Sequence, residues 1–265
     1  MMHLSSLYLY PIKSCAPLAA DAAAMGSRGL EHDRRWMVVD GDGRFLTGRE
    51  LPRMTLIQVR PHPQGLSLDA PGMPTLQVPL SSDCIPIPVT VWTSEIAARP
   101  MSAEADAWLS EFLQHDVRLV HMDDSVVRMI TSPQAEPGDE VSFADAFPVL
   151  LISRAALTDL NARLQSPMSM LRFRPNLVVD GVPAHAEDDW KRIRIGDVAF
   201  DVVKACVRCV FTTVDPMRGE RDRDGEPLRT LIGYRRTPDS VTFGQLLTPR
   251  SLGILRVGDE VSVLA

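Results

Sequence analysis

The sequence predicts an α+β protein that is mostly β, with an N-terminal β-rich unit and a second β-rich unit that carries a few helices. Short runs of strand-forming residues recur closely up to about residue 93, separated by clusters of proline and glycine. Spacing of this kind is typical of a β-barrel or β-sandwich. Two later stretches carry the apolar periodicity of a helix. We place the boundary near residue 97, which divides the chain into residues 1–97 and 98–265.

The first unit is predicted to contain short strands only. Pro11 ends the first of them, and Asp40-Gly41-Asp42-Gly43 is a hairpin signal between the second and the third. The predicted strands are residues 4–10, 35–39, 44–47, 55–59, 66–68 and 89–93.

The second unit begins with a predicted helix. Ser102 is an N-cap candidate, and one helix face follows it. That face consists of Ala105, Trp108, Leu109, Phe112 and Leu113. Residues 122–145 are polar and read as a connector. Ser153 is a second N-cap candidate, before a helix with Leu157, Leu160 and Leu164. Strands are predicted at 147–152, 177–179, 209–214, 260–264 and within 194–203.

Composition excludes several classes of function. The 265 residues carry a net charge of −6, so no basic surface for nucleic acid or an anionic membrane is expected. Apolar content of 45% is ordinary for a globular protein, and no run approaches a membrane span. Four scattered cysteines without a framework pattern, and no signal-peptide pattern at the start, predict a reducing, cytoplasmic location.

Residues 204–216 set two cysteines, Cys206 and Cys209, three residues apart with Arg208 between them. A thiolate is a soft metal ligand, and a nearby guanidinium favours its charged form. Structural zinc fits poorly because the other cysteines are isolated and no histidine lies within twenty residues. The β-branched run after Cys209 predicts a strand rather than a dithiol helix, and an extended chain points the two sulfur atoms to opposite faces. Two buried core thiols are the default interpretation, with zinc and dithiol chemistry still open.

Three separated motifs occur along the chain: Tyr10-Pro11-Ile12-Lys13-Ser14-Cys15, Phe173-Arg174-Pro175-Asn176 and Lys204 to Pro216. Together they resemble the MOSC family, and more closely the molybdenum-cofactor proteins typified by the mitochondrial amidoxime-reducing component and its bacterial relatives. The resemblance covers nearly the whole chain. It implies a MOSC N-terminal β-barrel domain over residues 1–97 and a β-barrel-like MOSC domain with a few helices over residues 98–265.

The resemblance also implies a cofactor and its contacts. The cofactor is a molybdenum cofactor (Mo-molybdopterin) whose tail ends in phosphate, with no iron–sulfur cluster in this chain. Cys209, and not Cys206, matches the catalytic, metal-ligating cysteine. The positions that match cofactor contacts are Lys13, Ser14, Arg34, Ser153, Arg174, Asn176 and Arg208. Taken singly, Lys13-Ser14 is more simply a turn and Ser153 a helix cap, while Arg34 is as readily an edge-strand charge and Arg174 a partner for an acid. Only the joint occurrence of these residues indicates a site.

The implied function is an oxidoreductase that reduces N-hydroxylated compounds from N–OH to N–H, an N-hydroxy reductase. Its electrons are expected from a separate donor protein of the ferredoxin, flavodoxin or b-type cytochrome class. Two other classes stay open: a cofactor or sulfur carrier in which Cys209 holds a persulfide, and a non-catalytic β-rich protein with inert thiols. The arginines between residues 218 and 236 are interleaved with acids, so we interpret them as a hydrated loop rather than a nucleic-acid patch.

Overall fold

The computed structural model describes residues 1–80 and 84–265 of a protein that is α+β and mostly β, as predicted. Within those residues the α-helices are Ala103–Leu113 (α1), Arg154–Asn161 (α2) and Leu228–Tyr234 (α3). The 3-10 helices are Pro52–Leu56, Met170–Phe173, Ala186–Asp189 and Val210–Thr213. The strands are His3–Leu9 (β1), Leu18–Ala20 (β2), Ala22–Gly26 (β3), Gly29–Leu30 (β4), Trp36–Val39 (β5), Gln58–His62 (β6), Gly65–Asp69 (β7), Leu76–Pro79 (β8), Ile87–Val91 (β9), Ser94–Pro100 (β10), Arg118–His121 (β11), Val149–Ser153 (β12), Leu177–Asp180 (β13), Arg192–Ile195 (β14), Val198–Val207 (β15), Val214–Asp215 (β16), Glu220–Arg221 (β17), Thr242–Pro249 (β18), Gly253–Arg256 (β19) and Val261–Val263 (β20).

The largest layer is an eight-stranded sheet in the order β2-β1-β13-β12-β18-β15-β14-β20. β12 and β13 run parallel, and the other neighbouring strands are antiparallel. Successive residues of a strand point to opposite faces, so Leu151 and Ile152 enter two different cores. The second core lies under α2 and α3 and includes Leu160, Phe173 and Leu231.

The N-terminal half contributes smaller sheets. One has the order β5-β11-β10-β9, and two three-stranded sheets have the orders β6-β7-β8 and β19-β3-β4. Helix α1 closes one of their cores, and its predicted face is confirmed because all five apolar residues are buried. The predicted cap is confirmed too: Ser102 Oγ accepts a hydrogen bond from the Ala105 N–H at 3.1 Å. The sequence of α1 was sufficient to predict these two features, because a helix cap and an apolar helix face depend on residues close together in the chain.

Two predicted strands of the first unit differ from the structure. Residues 44–47 make only isolated bridges, Val39 with Phe45 and Arg44 with Thr90. Thr55 lies in the 3-10 helix Pro52–Leu56, and its hydroxyl donates to the Pro52 carbonyl at 2.9 Å. Proline fixes a turn-compatible φ at the start of that helix, so the strand begins only at Gln58.

The two halves of the chain are interleaved. β1 pairs with β13 of the large sheet, with Leu7 opposite Leu177, and β3 pairs with β19. The end of β1 therefore meets the start of β13, which brings the segment after Leu9 beside the segment before Leu177. Residue 97 lies inside β10, and the division into residues 1–97 and 98–265 stays a prediction.

Candidate active site

One cavity collects most of the chemistry-bearing side chains. It encloses about 240 Å³ between the loops after β1, β4 and β15 and the segments before β12 and β13. Asp145 is the acidic residue among its described lining residues, and seven others are basic although the chain as a whole is acidic. The basic residues are Lys13, Arg34, Arg49, Arg172, Arg174, Lys204 and Arg208. Like charges at close range repel, so this lining is suited to an anionic ligand that offsets them.

The segment that carries the cysteine pair bends sharply. β15 ends at Val207 after a register shift against β18, and the chain then enters the 3-10 helix Val210–Thr213 with Cys209 as its N-cap. The predicted strand after Cys209 is therefore wrong. Thr212 explains the difference, because its N–H and its hydroxyl both donate to the Cys209 carbonyl, at 3.1 and 3.0 Å. Such local hydrogen bonds from threonine compete with extended structure.

The bend brings both sulfur-bearing residues to the same cavity, which overturns the expectation of opposite faces. Cys209 is exposed and Cys206 is half-buried, so the interpretation of two buried core thiols is also wrong for this pair. Arg208 Nη1 donates to Cys206 Sγ at 2.9 Å, whereas no described residue makes a hydrogen bond to Cys209 Sγ. Burial raises the pKa of the Cys15 thiol to about 12, which keeps that thiol protonated. Cys209 is therefore the sulfur most open to a ligand.

Tyr10 organises two of the basic side chains. Its buried ring lies between two guanidinium groups, with Arg34 Cζ 4.2 Å and Arg174 Cζ 4.1 Å from the ring centroid. Its hydroxyl donates to the Pro175 carbonyl at 3.1 Å, and its N–H donates to Asp33 Oδ1 at 2.8 Å. Burial raises the pKa of Tyr10, so the phenol stays neutral and its faces attract both cations.

Asn176 ties the same arginines to the sheet. Arg34 Nη1 donates to Asn176 Oδ1 at 3.0 Å, and Arg34 Nη2 donates to the Arg174 carbonyl at 3.3 Å. Asn176 Oδ1 also accepts from the Leu150 N–H at 3.2 Å, and its Nδ2 donates to the Tyr8 carbonyl at 3.1 Å. A buried amide bound on both sides in this way fixes the position of the Arg34 guanidinium, which in turn holds the Arg174 backbone.

Three residues of the cavity lining have a left-handed backbone conformation. Seven non-glycine residues in the described parts of the chain have positive φ. Three of them are predicted site residues: Ser14 at 70°, Arg34 at 49° and Arg174 at 56°. Such conformations cost of order 1–3 kcal/mol each and persist where the surrounding structure enforces them, which is common at functional sites.

Lys13 lines the cavity next to the end of the connector, residues 143–145. Its side chain is 7% exposed, and its Nζ donates to the Phe143 carbonyl at 2.8 Å and forms an ion pair with Asp145. Burial lowers the pKa of Lys13, and the Asp145 charge opposes that shift. An ammonium group has three N–H donors, so one remains for a ligand in the cavity.

Comparison with known proteins fits this geometry. The model of the MOSC N-terminal beta barrel domain matches residues 1–116, and the model of the MOSC domain matches residues 138–262. Mitochondrial amidoxime-reducing component 1 of Danio rerio is 38% identical over 97% of this chain and 83% of its own length. Component 2 of Bos taurus is 37% identical (97% and 82%), and component 1 of Mus musculus is 38% identical (98% and 82%). The chain belongs to the MOSC-domain family of amidoxime-reducing components.

Membership in this family overturns one prediction. We expected a cytoplasmic location, but the named relatives are mitochondrial components, which points away from it. The expectation was wrong because scattered thiols indicate a reducing environment without naming the compartment. The part of the chain that the structure describes has no helix long and apolar enough to span a membrane.

Most of the site residues predicted from the MOSC resemblance come together. The lining of the cavity includes Lys13, Ser14, Arg34, Arg174, Asn176, Arg208 and Cys209. Ser153 is not part of this lining: it is fully buried and its Oγ caps α2 by accepting from the Ala156 N–H at 3.2 Å. The contact of all eight residues with a cofactor stays a prediction.

Three basic residues of this MOSC cavity were not predicted from the sequence. Arg49 lies at the rim with its guanidinium 4.6 Å from the Trp92 ring centroid. Lys204 lines the cavity opposite Leu246 in the register of β15 and β18. Arg172 is two residues before Arg174. Arg172 is next to a recognised motif and Lys204 is the first residue of another, which was the signal available for them. Arg49 lies in the turn after Thr47, where no site-like pattern occurs.

Proposed function

We propose that this protein is a molybdenum-cofactor-dependent reductase of N-hydroxylated compounds, including amidoximes, supplied with electrons by a separate donor protein. The observation that carries the proposal is the exposed Cys209 thiol in a cavity lined by seven basic residues. A thiolate is a soft metal ligand, and guanidinium groups bind phosphate through paired hydrogen bonds. Relatives of similar length are named amidoxime-reducing components, which supports the same reaction.

The residues present fit a phosphate-bearing cofactor. Arg174 Nη2 and Arg208 Nε are buried and have no hydrogen-bond partner among the described residues. Buried donors are almost always satisfied, so two unsatisfied guanidinium nitrogens in the lining of one cavity call for an acceptor from outside the chain. Burial lowers the pKa of Arg174 to about 10, which still leaves its charge intact at neutral pH. An anionic ligand would supply the acceptors.

In this proposal the residues have distinct roles. Cys209 would ligate the metal, and Lys13, Arg34, Arg174 and Arg208 would hold the anionic parts of the cofactor. When bound, the cofactor would supply the two-electron chemistry that removes oxygen from N–OH. The overall reaction consumes two electrons and two protons per N–OH group and yields N–H and water. The chain's own contribution is binding, orientation and a positive field.

Apolar residues of the same cavity would receive the organic part of the substrate. Phe147, Pro148, Leu150, Phe211 and Leu246 line it together with the basic residues. A cavity with both charged and apolar lining residues suits a ligand that has a polar N–OH end and an apolar body. Benzamidoxime has this shape and is the substrate of choice for a first assay.

The test is reduction of benzamidoxime by protein expressed in a host that makes the molybdenum cofactor, with a chemically reduced viologen dye as artificial donor. We expect molybdenum close to one per chain, benzamidine as product, and no turnover by the Cys209→Ser variant. A molybdenum-loaded wild-type protein that leaves benzamidoxime, hydroxylamine and N-hydroxylated bases unreduced would refute the proposal.

A further inference from the structure

We propose that Arg172 is a positioning residue that sets the place of the Cys209 sulfur by holding the backbone of its segment. Cys209 needs such a device because no described residue makes a hydrogen bond to its Sγ. The position of an unsupported side chain follows from its backbone, so whatever fixes the flanking residues fixes the sulfur. This role rests on the proposed function, since it matters for turnover only if Cys209 is the metal ligand.

Arg172 holds the chain on the C-terminal side of Cys209. Its Nη1 donates to the Thr213 carbonyl at 2.8 Å, at the end of the 3-10 helix that Cys209 caps. Its Nη2 donates to Asp215 Oδ2 at 3.1 Å, and Asp215 Oδ1 accepts from the Met217 N–H at 2.9 Å. The Arg172 side chain is 8% exposed, and that of Asp215 is 31% exposed.

The neighbouring residue holds the N-terminal side. Phe173 presents its carbonyl to Arg208 Nη2 at 2.6 Å, one residue before Cys209. The Arg208 N–H donates to the Val241 carbonyl at 2.8 Å, so the backbone at that point is also fixed to the sheet side. Residues 172 and 173 thus grip the segment on both sides of Cys209, and we call these contacts the Cys209 clamp.

The clamp requires arginine rather than any cation. A guanidinium directs two donors at two acceptors in a fixed plane, whereas an ammonium group is a point charge that satisfies one of them well. Arg172 directs one N–H of each terminal nitrogen at Thr213 and Asp215. Its place in the cavity lining differs in kind from that of Arg174, which has a nitrogen without a partner.

The test compares Arg172→Lys and Asp215→Asn with the wild type. Arg28→Lys is the matched control, because Arg28 pairs with Glu140 at 3.0 Å in a similarly enclosed position outside this cavity. In cofactor-free full-length protein, we expect amides 210–215 to exchange with deuterium about tenfold faster in Arg172→Lys, from loss of a charge-assisted hydrogen bond. Asp215→Asn removes the charge and replaces one acceptor oxygen with an NH2 group, so either Arg172 Nη2 or the Met217 N–H loses its acceptor. We therefore expect faster exchange in the same segment in this variant too.

In the loaded enzyme, we expect Arg172→Lys to lower kcat by about ten- to a hundredfold with little change in KM, as for a misplaced reacting group. The electron paramagnetic resonance spectrum of the partly reduced molybdenum should shift or broaden, and the spectrum of Arg28→Lys should not. Unchanged exchange at 210–215 in Arg172→Lys would overturn the clamp. The exchange measurement needs neither cofactor nor turnover, so it distinguishes failure of the clamp from failure of the proposed reaction.

Discussion

Cys206 and Cys209 reach the same cavity, yet their sulfur atoms have different surroundings. Cys206 Sγ accepts a hydrogen bond from Arg208 and is half-buried, whereas Cys209 Sγ is exposed. A sulfur that orients an arginine serves as a structural acceptor, and an open sulfur is available to a metal. In the proposed function the two thiols would therefore have different roles, with Cys206 supporting Arg208 and Cys209 ligating the metal.

Substituting Cys206 tests this division. Cys206→Ser keeps an acceptor for Arg208 Nη1, so we expect activity within about twofold of the wild type. Cys206→Val removes the acceptor and should lower cofactor occupancy severalfold, because it adds an unsatisfied donor to Arg208. The measurement is molybdenum per chain alongside the reduction rate. A dead Cys206→Ser variant with normal folding would reverse the assignment of the pair.

The two arginines on Tyr10 give a second prediction at this scale. Replacing both, as Arg34→Gln with Arg174→Gln, removes two charges from the wall of the cavity and should weaken cofactor retention by at least about tenfold. The matched control is Arg60→Gln with Arg118→Gln, two exposed arginines outside the cavity. Cofactor content after gel filtration is the readout. Full retention by the Arg34 and Arg174 double variant would eliminate the proposed anion site.

At the scale of elements, the 3-10 helix Val210–Thr213 is fixed from two directions. Arg172 holds its end, and Phe211 packs its ring against the backbone of Gly48 in the N-terminal half. A Cβ on Gly48 would lie 2.3 Å from Phe211 Cε2, so only glycine allows this approach. The same ring lies 5.4 Å from the Arg174 guanidinium, which links the helix to the basic wall.

Gly48→Ala should therefore disturb the site from a distance. We expect overpacking to lower the free energy of unfolding by about 1–3 kcal/mol. We also expect kcat to fall further than in the Gly41→Ala control. Gly41→Ala in the nearby hairpin is the control, since nothing lies within 4 Å of its added Cβ. Chemical denaturation and steady-state kinetics are the measurements. The loss should shrink in the Phe211→Leu background, and an equal loss in both backgrounds would argue against the contact.

Elements with local causes were predictable from the sequence, and this element was not. The cap at Ser102 and the buried face of α1 follow from residues within one helix. The turn after Cys209 depends on threonine hydroxyls that outweigh the strand preference of a β-branched run. The role of Arg172 depends on partners 41 and 43 residues away along the chain, which no local pattern encodes.

At the scale of the whole molecule, the cavity forms because strands from the two halves of the chain pair with each other. Its lining extends from Lys13 to Leu246, and the pairing of β1 with β13 brings the first motif to the second. The Tyr10 hydroxyl reaches the Pro175 carbonyl across that junction. The three motifs indicated a shared site because together they resemble the MOSC family. Composition and periodicity alone do not predict which strands pair.

The packing between β5 and β11 gives the molecule a predicted sensitivity to acid. Burial lowers the pKa of His121 to about 4, the Arg35 charge adds to that shift, and the imidazole stacks on Trp36 at 4.7 Å. Because the folded-state pKa lies below the unfolded value of about 6.5, the unfolded state binds more protons between these two pH values. The contribution of His121 to the free energy of unfolding is therefore fully present above about pH 6.5, and it is lost as the pH drops toward 4.

Replacing the histidine should flatten that dependence. We expect the free energy of unfolding of the wild type to fall by about 2 kcal/mol more than that of His121→Gln between pH 7 and pH 4. His115→Gln, at an exposed position, is the control and should follow the wild type. Urea denaturation across this pH range supplies the measurement. Parallel pH profiles for the wild type and His121→Gln would exclude a buried neutral imidazole.

The most direct test of the role of Cys209 is X-ray absorption at the molybdenum edge of the loaded wild type, Cys209→Ser and Cys206→Ser proteins. We expect that Cys209→Ser loses one sulfur from the metal's coordination or loses the metal, while Cys206→Ser keeps the wild-type spectrum. A Cys209→Ser protein that holds molybdenum with the full number of sulfur neighbours, or a sulfur lost only in Cys206→Ser, would contradict it.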